Sequence, residues 1–284
     1  SLLTLEMLGI GAALGGSAAV EVSGSFVWNE GLLIGGPGET FTVLAGATGT
    51  LAGPPGAAAR AVEGRELINT GTLQFTVGNQ TDLLNGATFR NGSTGIVQLM
   101  LPVGQASQFE ADAAPTTLFV NEGLLQASSG DGFVMNAAFD QAVSGIVDID
   151  TGLGHFQRGG TDSGAYQVDL GGTLQFSQPV QRTLLGSGIS GSGDLIVGEF
   201  VPNNPCSLAL AGSLALSGTV EIRSCSLGLF GPATTFTTLE LVDTNAEILG
   251  TAPIAVNGGF VWDGGVIFGS PGQTLTGQNG VPRS

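Results

Sequence analysis

The chain has 284 residues and a net charge of −16, with 49 glycines but only 11% charged residues. Because glycine costs about 1 kcal/mol at each helical position, this composition excludes a helical bundle, and the 42% of hydrophobic residues exclude a disordered tract. The excess of acidic side chains disfavours binding to nucleic acid and to anionic membrane surfaces, so neither is an expected partner.

The first predicted elements belong to a segment that returns near the other end of the chain. Residues 4–42 align without a gap with residues 238–276 at a constant offset of 234, and 17 of the 39 positions are identical. The most apolar part of the first copy, residues 8–20, is too short and too rich in glycine to span a membrane. We therefore interpret the length of this offset as one repeat unit, and we expect no insertion into a membrane.

Shorter echoes follow in the central part of the chain. GTLQFT at 71–76 returns as GTLQFS at 172–177, and CSLAL at 206–210 returns as CSLGL at 225–229, a shift of 19. Apolar and polar residues alternate within these segments, and this period of two is typical of a β-strand. Short strands that recur at intervals of about 20 residues, between Gly and Asn corners, indicate a solenoid.

These patterns predict an all-β protein: a parallel, right-handed β-helix of about 19–25 residues per coil, continuous over residues 1–284. With strands about 4.8 Å apart, a unit of roughly 234 residues would make about eleven coils and about 50 Å of rod. An array of β-sandwiches is the alternative, because immunoglobulin-like repeats run to about 100 residues and GTLQF returns at a shift of 101. The sequence lacks the Pro-rich linkers expected between such domains, which favours the β-helix.

Three segments carry a resemblance to a known type of protein. FVWNEGLLIGGPG at 26–38, GRELINTG at 64–71 and GATFRN at 86–91 resemble the β-helical repeats of large secreted bacterial surface proteins. The families concerned are filamentous-haemagglutinin-like adhesins and the passenger regions of autotransporters. The resemblance implies an extracellular, elongated protein with an adhesive or structural role, and it names no ligand.

A polar segment in the middle of the chain is the best candidate for chemistry. A β-helical glycosidase would need carboxylates on one face of adjacent coils, and the segment 148–162 contains Asp148, Asp150, His155 and Asp162. Asp148 and Asp150 are two residues apart and so share one face of a strand. The same spacing arises when a strand presents an acidic face to water, so we assign no catalytic residue. A carbohydrate-active enzyme or glycan-binding module stays open as the alternative.

The two tryptophans, Trp28 and Trp262, occupy equivalent positions in the duplicated segment. An exposed Trp at these positions could stack on a sugar ring, whereas a buried one would fill the core where a coil widens. We expect core packing, and we keep glycan contact as the second interpretation.

The two cysteines lie in the matching pentapeptides, at the same shift of 19. If the local coil has that length, Cys206 and Cys225 stack with Cα atoms about 5 Å apart, which a disulfide tolerates. We predict a disulfide between them, with stacked free thiols as the alternative. The sequence predicts no cofactor and no metal site, although calcium is left open as an unsupported ligand. Asn79 and Asn91 begin glycosylation-type triplets, at a frequency near chance.

The resulting hypothesis is a non-enzymatic, secreted rod on a cell surface or in a filament. Because the ends of a solenoid expose unpaired strand edges, we expect further coils or copies of the same chain to pair with them end to end. Surface glycans are a second candidate class of partner. The alternative function is carbohydrate binding or cleavage at the acidic face near residues 148–162.

Overall fold

The computed structural model describes residues 1–53, 60–112, 114, 116–177, 181–186, 188–199, 206–269 and 274–277. These residues form an all-β protein without a helix, in which parallel strands stack into a β-solenoid of about 12 turns. The predicted fold class is therefore confirmed.

The strands lie on three faces, named A, B and C in the order in which the chain first reaches them. Face A comprises β1 (Leu2–Met7), the second half of β3 (Val20–Trp28), β6 (Thr48–Leu51), β9 (Thr72–Phe75), β12 (Ile96–Met100), β15 (Leu124–Ser129), β18 (Ile146–Ile149), β21 (Ala165–Val168), β24 (Gly188–Gly191), β27 (Leu214–Leu216), β30 (Thr234–Phe236), β33 (Ile254–Val256) and β36 (Leu275–Gly277).

Face B comprises β2 (Ala13–Leu14), β4 (Gly31–Ile34), β7 (Arg60–Glu63), β10 (Gln80–Leu84), β13 (Ala106–Ala111), β16 (Gly132–Asn136), β19 (Gly152–Phe156), β22 (Gly172–Phe176), β25 (Asp194–Val197), β28 (Thr219–Ile222), β31 (Thr238–Leu241) and β34 (Phe260–Trp262).

Face C comprises the first half of β3, β5 (Thr40–Val43), β8 (Glu66–Asn69), β11 (Thr88–Asn91), β14 (Leu118–Asn121), β17 (Ala138–Gln141), β20 (Gly160–Asp162), β23 (Gln181–Leu184), β26 (Cys206–Leu210), β29 (Cys225–Leu229), β32 (Glu247–Gly250) and β35 (Val266–Ile267). Faces A and C join through β3 into one 21-stranded sheet, and face B forms a 12-stranded sheet. β30, β33 and β36 continue face A as a separate three-stranded sheet.

The core is a set of columns, in which each inward side chain packs on its counterpart in the next coil. On face C, Phe89 lies between Leu67 and Phe119 in register, and Phe139 follows. The ring centroids are 4.6 Å apart for Phe89 and Phe119, and 5.5 Å apart for Phe119 and Phe139. Alternation along each strand places these side chains inside, because successive residues of a strand point to opposite faces.

A ladder of buried asparagines runs along the corner between faces C and A. Nδ2 of Asn69 donates to Oδ1 of Asn91, and Nδ2 of Asn91 donates to Oδ1 of Asn121, each at 2.9 Å. The same Nδ2 groups also donate to the carbonyls of Ile96 and Leu124, which belong to the face A strands of the next coil in each case. Gly95 and Gly123 close these corners, where a Cβ atom would collide with a neighbouring carbonyl. The asparagines that come shortly before a glycine in the sequence thus form hydrogen bonds that hold successive coils in register.

Coil length varies more than the sequence indicates. Cys206 pairs with Cys225 at a sequence separation of 19, whereas Asn91 pairs with Asn121 at a separation of 30. The expected coil length of about 19–25 residues is therefore too narrow a range. Most of the additional residues lie between the strands. Such insertions cost only a slowly increasing loop entropy, so the stack tolerates them.

The duplicated segments lie on different faces. In the first copy, residues 4–7 belong to β1 on face A, whereas their equivalents at 238–241 form β31 on face B. Face A has eleven strands from β1 to β30, which is ten coil steps, and β31 comes one face later. The offset of 234 residues therefore corresponds to ten coils and one further face. The second copy consequently lies one face further round the solenoid than the first.

Candidate functional site

The acidic segment does not form one site. Asp148 and Asp150 lie together on the outer surface at face A, where Nε2 of Gln126 donates to one oxygen of each carboxylate at 3.2 Å. Burial and the charge of Asp150 raise the pKa of Asp148. His155 lies on face B, and Asp162 is buried in the core at face C. The structure thus brings two of the four candidates together and separates the others.

His155 belongs to a cluster with Ser177 and Glu199, two residues that the sequence analysis does not single out. Nε2 of His155 lies 2.5 Å from Oγ of Ser177, and this hydroxyl donates to Oε1 of Glu199 at 2.7 Å. Nε2 of His155 also lies 3.4 Å from the same carboxylate oxygen. Each member follows the previous one at a sequence separation of 22, which is close to one coil. This spacing is the sequence signal that could have revealed the cluster.

The geometry of this cluster differs from that of a catalytic triad. In a triad, the carboxylate accepts a hydrogen bond from the imidazole nitrogen that faces away from the serine. Glu199 instead lies on the Nε2 side together with Ser177, and Nδ1 of His155 faces Nε2 of Gln157 at 3.4 Å. His155 and Ser177 are also buried. The cluster therefore acts as a hydrogen-bonded clamp across successive coils.

The clamp predicts a specific pH dependence of stability. Burial lowers the pKa of His155 below its ordinary value of 6.5, against the opposing charge of Glu199. Below about pH 6.5 the unfolded chain therefore binds a proton that the folded chain does not, and stability falls until the folded pKa is passed. We expect the urea midpoint of the native protein to fall between about pH 7.5 and about pH 5.5 by more than that of His155→Gln. Equal decreases in the two proteins would contradict this role of His155.

Asp162 forms a buried ion pair with Arg182. Nε and Nη2 of Arg182 donate to the two carboxylate oxygens of Asp162 at 2.6 and 2.8 Å, and the hydroxyl of Tyr166 donates to Oδ2 at 2.9 Å. Burial opposes the charge of Arg182, but the carboxylate outweighs it and holds the pKa of Arg182 above its ordinary value. The guanidinium also lies over three aromatic rings, those of Phe139, Phe156 and Phe176. All three polar groups are buried, so this pair joins coils inside the fold.

Cys206 and Cys225 lie opposite each other in β26 and β29. Their Cα atoms are 4.8 Å apart, and their Sγ atoms are joined in a disulfide. The bond connects two consecutive coils at a sequence separation of 19, which is shorter than the separation of 30 between Asn91 and Asn121. It is therefore a covalent staple along the axis of the solenoid.

We expect loss of this staple to weaken the fold measurably. A disulfide that closes a loop of this length stabilises a protein by about 3 kcal/mol, mainly by restricting the unfolded chain. The double variant Cys206→Ala, Cys225→Ala should therefore unfold at lower urea concentration than the native protein. Addition of dithiothreitol should shift the native protein toward the variant and leave the variant unchanged. A native protein that is insensitive to the reductant, and equal in stability to the variant, would exclude a stabilising bond.

The two tryptophans have different environments despite their equivalent positions. Trp28 is fully buried, and its ring centroid lies 5.9 Å from that of Phe26. Trp262 is 46% exposed, although it keeps the same partner at 6.0 Å, in this copy Phe260. Trp28 has the core role expected from the sequence. Trp262 lies in the last described coil and presents part of its ring to solvent.

The two glycosylation-type triplets begin with asparagines whose side chains are inside the fold. Asn79 is 4% exposed and Asn91 is fully buried within the asparagine ladder. A glycan on either side chain would be incompatible with the folded solenoid. Both asparagine side chains instead donate hydrogen bonds inside the fold.

A shallow recess of about 240 Å³ lies on the outer surface of face B and contains carboxylates from adjacent coils. Arg223 binds both oxygens of Glu221 at 2.6 and 2.7 Å. Oδ1 of Asp194 accepts the backbone N–H of Thr219 at 2.7 Å. Glu240 is the third carboxylate of the recess. Because the protein itself binds two of the three, we assign no catalytic role to this recess.

Within the described ranges, no group of three or more His, Cys, Asp or Glu side chains is placed to hold a metal ion. That part of the chain also contains no helix able to cross a membrane. No protein-family model matches the sequence, and neither a curated protein nor a solved structure matches it.

Proposed function

We propose that this chain is a non-enzymatic structural or adhesive rod that lies outside the cell, on its surface or in a filament. The observation that carries the proposal is the use of polar side chains to join coils. The asparagine ladder, the Asp162–Arg182 pair and the Cys206–Cys225 bond each connect neighbouring turns. In this chain, side chains of types that are catalytic in other proteins hold the coils of a long solenoid in register.

The disulfide supports the extracellular location. Disulfides form and persist in secreted and surface proteins, whereas reducing conditions in the cytosol keep thiols free. Both cysteines of the chain are in this one bond. An oxidising environment is therefore part of the proposal.

The solenoid architecture also supports partners along the axis. A parallel stack ends in strands whose N–H and C=O groups are paired on one side only, and such edges pair readily with further strands. We propose copies of the same chain, associated end to end, as partners. Surface glycans are the proposed class of target for an adhesive rod, and the exposed ring of Trp262 is one group able to stack on a sugar.

Two measurements test this function. Electron microscopy of the purified protein should show rods about 55 Å long, or multiples of that length, from about 12 turns spaced by about 4.8 Å. Immunogold labelling of intact source cells with antibodies against the folded chain should mark the cell surface, and labelling only after permeabilisation would contradict the proposal. Hydrolysis of a polysaccharide by the purified chain, lost in Asp148→Asn but retained in Asp263→Asn, would favour the carbohydrate-active alternative.

A further inference from the structure

The charged side chains of this acidic chain are distributed unevenly over the three faces of the solenoid. Outward charges include Asp82, Glu110 and Glu221 on face B, and Glu66, Arg90 and Asp140 on face C. The thirteen described strands of face A contain two charged residues, Glu6 and Asp148. Two copies of a chain with a net charge of −16 repel each other. Face A is therefore the face on which a second copy approaches at the lowest electrostatic cost.

Two columns of side chains run along the outer surface of face A in the middle of the solenoid. The first column is aliphatic and occupies the first position of β12, β15 and β18, which are in register. The second column is polar and lies two residues further along the same strands. Together they form the central strip, which consists of Ile96, Leu124 and Ile146 in the first column and Gln98, Gln126 and Asp148 in the second.

The central strip has groups that a partner outside the chain can satisfy. In the aliphatic column, Ile146 is 39% exposed. In the polar column, Nε2 of Gln98 donates to Oε1 of Gln126 at 3.3 Å, and an amide nitrogen has two N–H groups. Asp148 accepts a hydrogen bond from Gln126 at 3.2 Å, and a carboxylate can accept several. Apolar surface and hydrogen-bonding capacity thus lie side by side on a weakly charged face.

We propose that face A is the surface on which two copies of this chain associate side by side, around a two-fold axis that runs along β15. Because the axis is parallel to the strands, the coils of the two copies follow one another in opposite directions. A two-fold arrangement brings the same patch of both copies together, so the patch must complement itself. This association goes beyond the proposed end-to-end contact and does not depend on it.

The central strip complements itself under this rotation. Leu124 lies opposite Leu124 of the second copy, and Ile96 lies opposite Ile146, so the aliphatic columns meet. Burial of these side chains favours the contact, because apolar surface is removed from water. Gln98 lies opposite Asp148, which places the second N–H of the amide against a carboxylate. The polar columns therefore meet as hydrogen-bond donor and acceptor.

The flanking strands fit the same arrangement. Gln74 of β9 lies opposite Gln167 of β21, and Thr50 of β6 lies opposite Ser190 of β24, as the register of the strands on either side of β15 requires. The two Asp148 carboxylates are then two coils apart along the axis, or about 14 Å when the sheets are about 10 Å apart. This distance exceeds the Debye length of about 8 Å at physiological ionic strength, so their repulsion is weak.

Face A has enough area for a specific contact. The eleven strands from β1 to β30 have β15 in the middle. At about 4.8 Å per strand and about 3.3 Å per residue, with about four residues per strand, they present roughly 700 Å² on each copy. Two copies would bury roughly 1,400 Å², within the range of about 1,200–2,000 Å² for specific interfaces. The strands of the two sheets also run in the same direction, as in aligned sheet packing.

Sedimentation of a matched pair of variants tests the surface. Leu124→Arg places two like charges at the centre of the contact, and we expect the dissociation constant of the dimer to rise at least tenfold. Leu118→Arg is the control, because Leu118 is equally half-buried on face C in the strand before β15, and its dimer should be unchanged. Circular dichroism should show both variants folded. Equal dimerisation of Leu124→Arg and the native protein would overturn the proposal.

A mixing experiment tests the register of the two copies. Ile96→Arg and Ile146→Glu should each weaken the dimer, because each variant places a charge against an aliphatic side chain. Mixed in equal amounts, they should form a heterodimer, since the two-fold axis brings the introduced Arg and Glu together at one contact and leaves the other contact aliphatic. A mixture that dimerises no better than the separate variants would contradict the axis along β15.

A distance measurement distinguishes opposite from equal direction of the coils. Both native cysteines are in the disulfide, so a spin label on Ser190→Cys attaches at one position. Ser190 is exposed in β24, three coils from β15. Two labels should lie about 30 Å apart in the proposed dimer, whereas copies with equal coils opposite each other would give about 10 Å. The shorter distance would overturn the proposed arrangement.

The remaining outcomes separate this inference from the proposed function. A native protein that stays monomeric from about 1 to about 500 µM, a range that covers weak interfaces of this size, would overturn the side-by-side contact. Binding to insoluble cellulose that is lost in Leu124→Arg and retained in Leu118→Arg would assign face A to an uncharged glycan and overturn it too. Single rods labelled on the cell surface would in either case still support a structural or adhesive role.

Discussion

Replacement of Asp162 by alanine is expected to lower the free energy of unfolding by about 3–5 kcal/mol, because it leaves the buried charge of Arg182 without its partner. Arg182 is enclosed by aromatic rings and donates two hydrogen bonds to the carboxylate. The hydroxyl of Tyr166 would lose its acceptor at the same time. Urea unfolding followed by circular dichroism measures the loss.

A double variant distinguishes the destabilising effect of an unpaired buried charge from that of lost packing. In Asp162→Leu, Arg182→Met both charges are replaced by apolar side chains, and buried ion pairs replaced in this way often cost little. We therefore expect this protein to recover at least half of the stability lost in Asp162→Ala. Asp263→Ala, at an exposed position, should leave stability unchanged. A double variant as unstable as the single one would show that packing around the pair, rather than its charge, is decisive.

Replacement of Asn91 by alanine is expected to cost about 3 kcal/mol, since each buried polar group left without a partner costs about 1–3 kcal/mol. Asn91 is the middle rung of the ladder. The change removes the acceptor of Asn69 Nδ2 and the donors to Asn121 Oδ1 and to the carbonyl of Leu124. Both neighbouring coils would be affected.

The position within the ladder gives this prediction a control. Asn257→Ala removes an exposed asparagine from a corner outside the ladder, and it should change stability by less than about 0.5 kcal/mol. Hydrogen exchange should show faster opening in Asn91→Ala at the strands adjoining residue 91. If the two variants have equal urea midpoints, the ladder does not stabilise the solenoid.

Local patterns in the sequence predict the strands well. The alternation in GTLQF places Leu73 and Phe75 inside, and the structure shows both fully buried. The spacing of the two cysteine pentapeptides predicts their register, and Cys206 does pair with Cys225. Such features are predictable because the direction of a side chain in a strand depends only on its position in a period of two.

The candidate site was less predictable. Asp148, His155 and Asp162 are close in sequence, yet corners between them place them on face A, on face B and in the core. The partners of His155 and Asp162 are instead Ser177 and Arg182, which lie about one coil away. In a solenoid the neighbours of a residue are set by coil length, and coil length varies with each corner loop.

The sequence by itself determined that the chain is all-β, repetitive and built of short strands, because composition and period act on each residue locally. It also determined the inward direction of the large apolar side chains. Only the tertiary structure decided that the duplicated segments lie one face apart, that the asparagines form a ladder, and that Trp28 is buried while Trp262 is exposed. The physical reason is that burial and register depend on contacts between two neighbouring coils. These contacts form only when the chain has completed a turn.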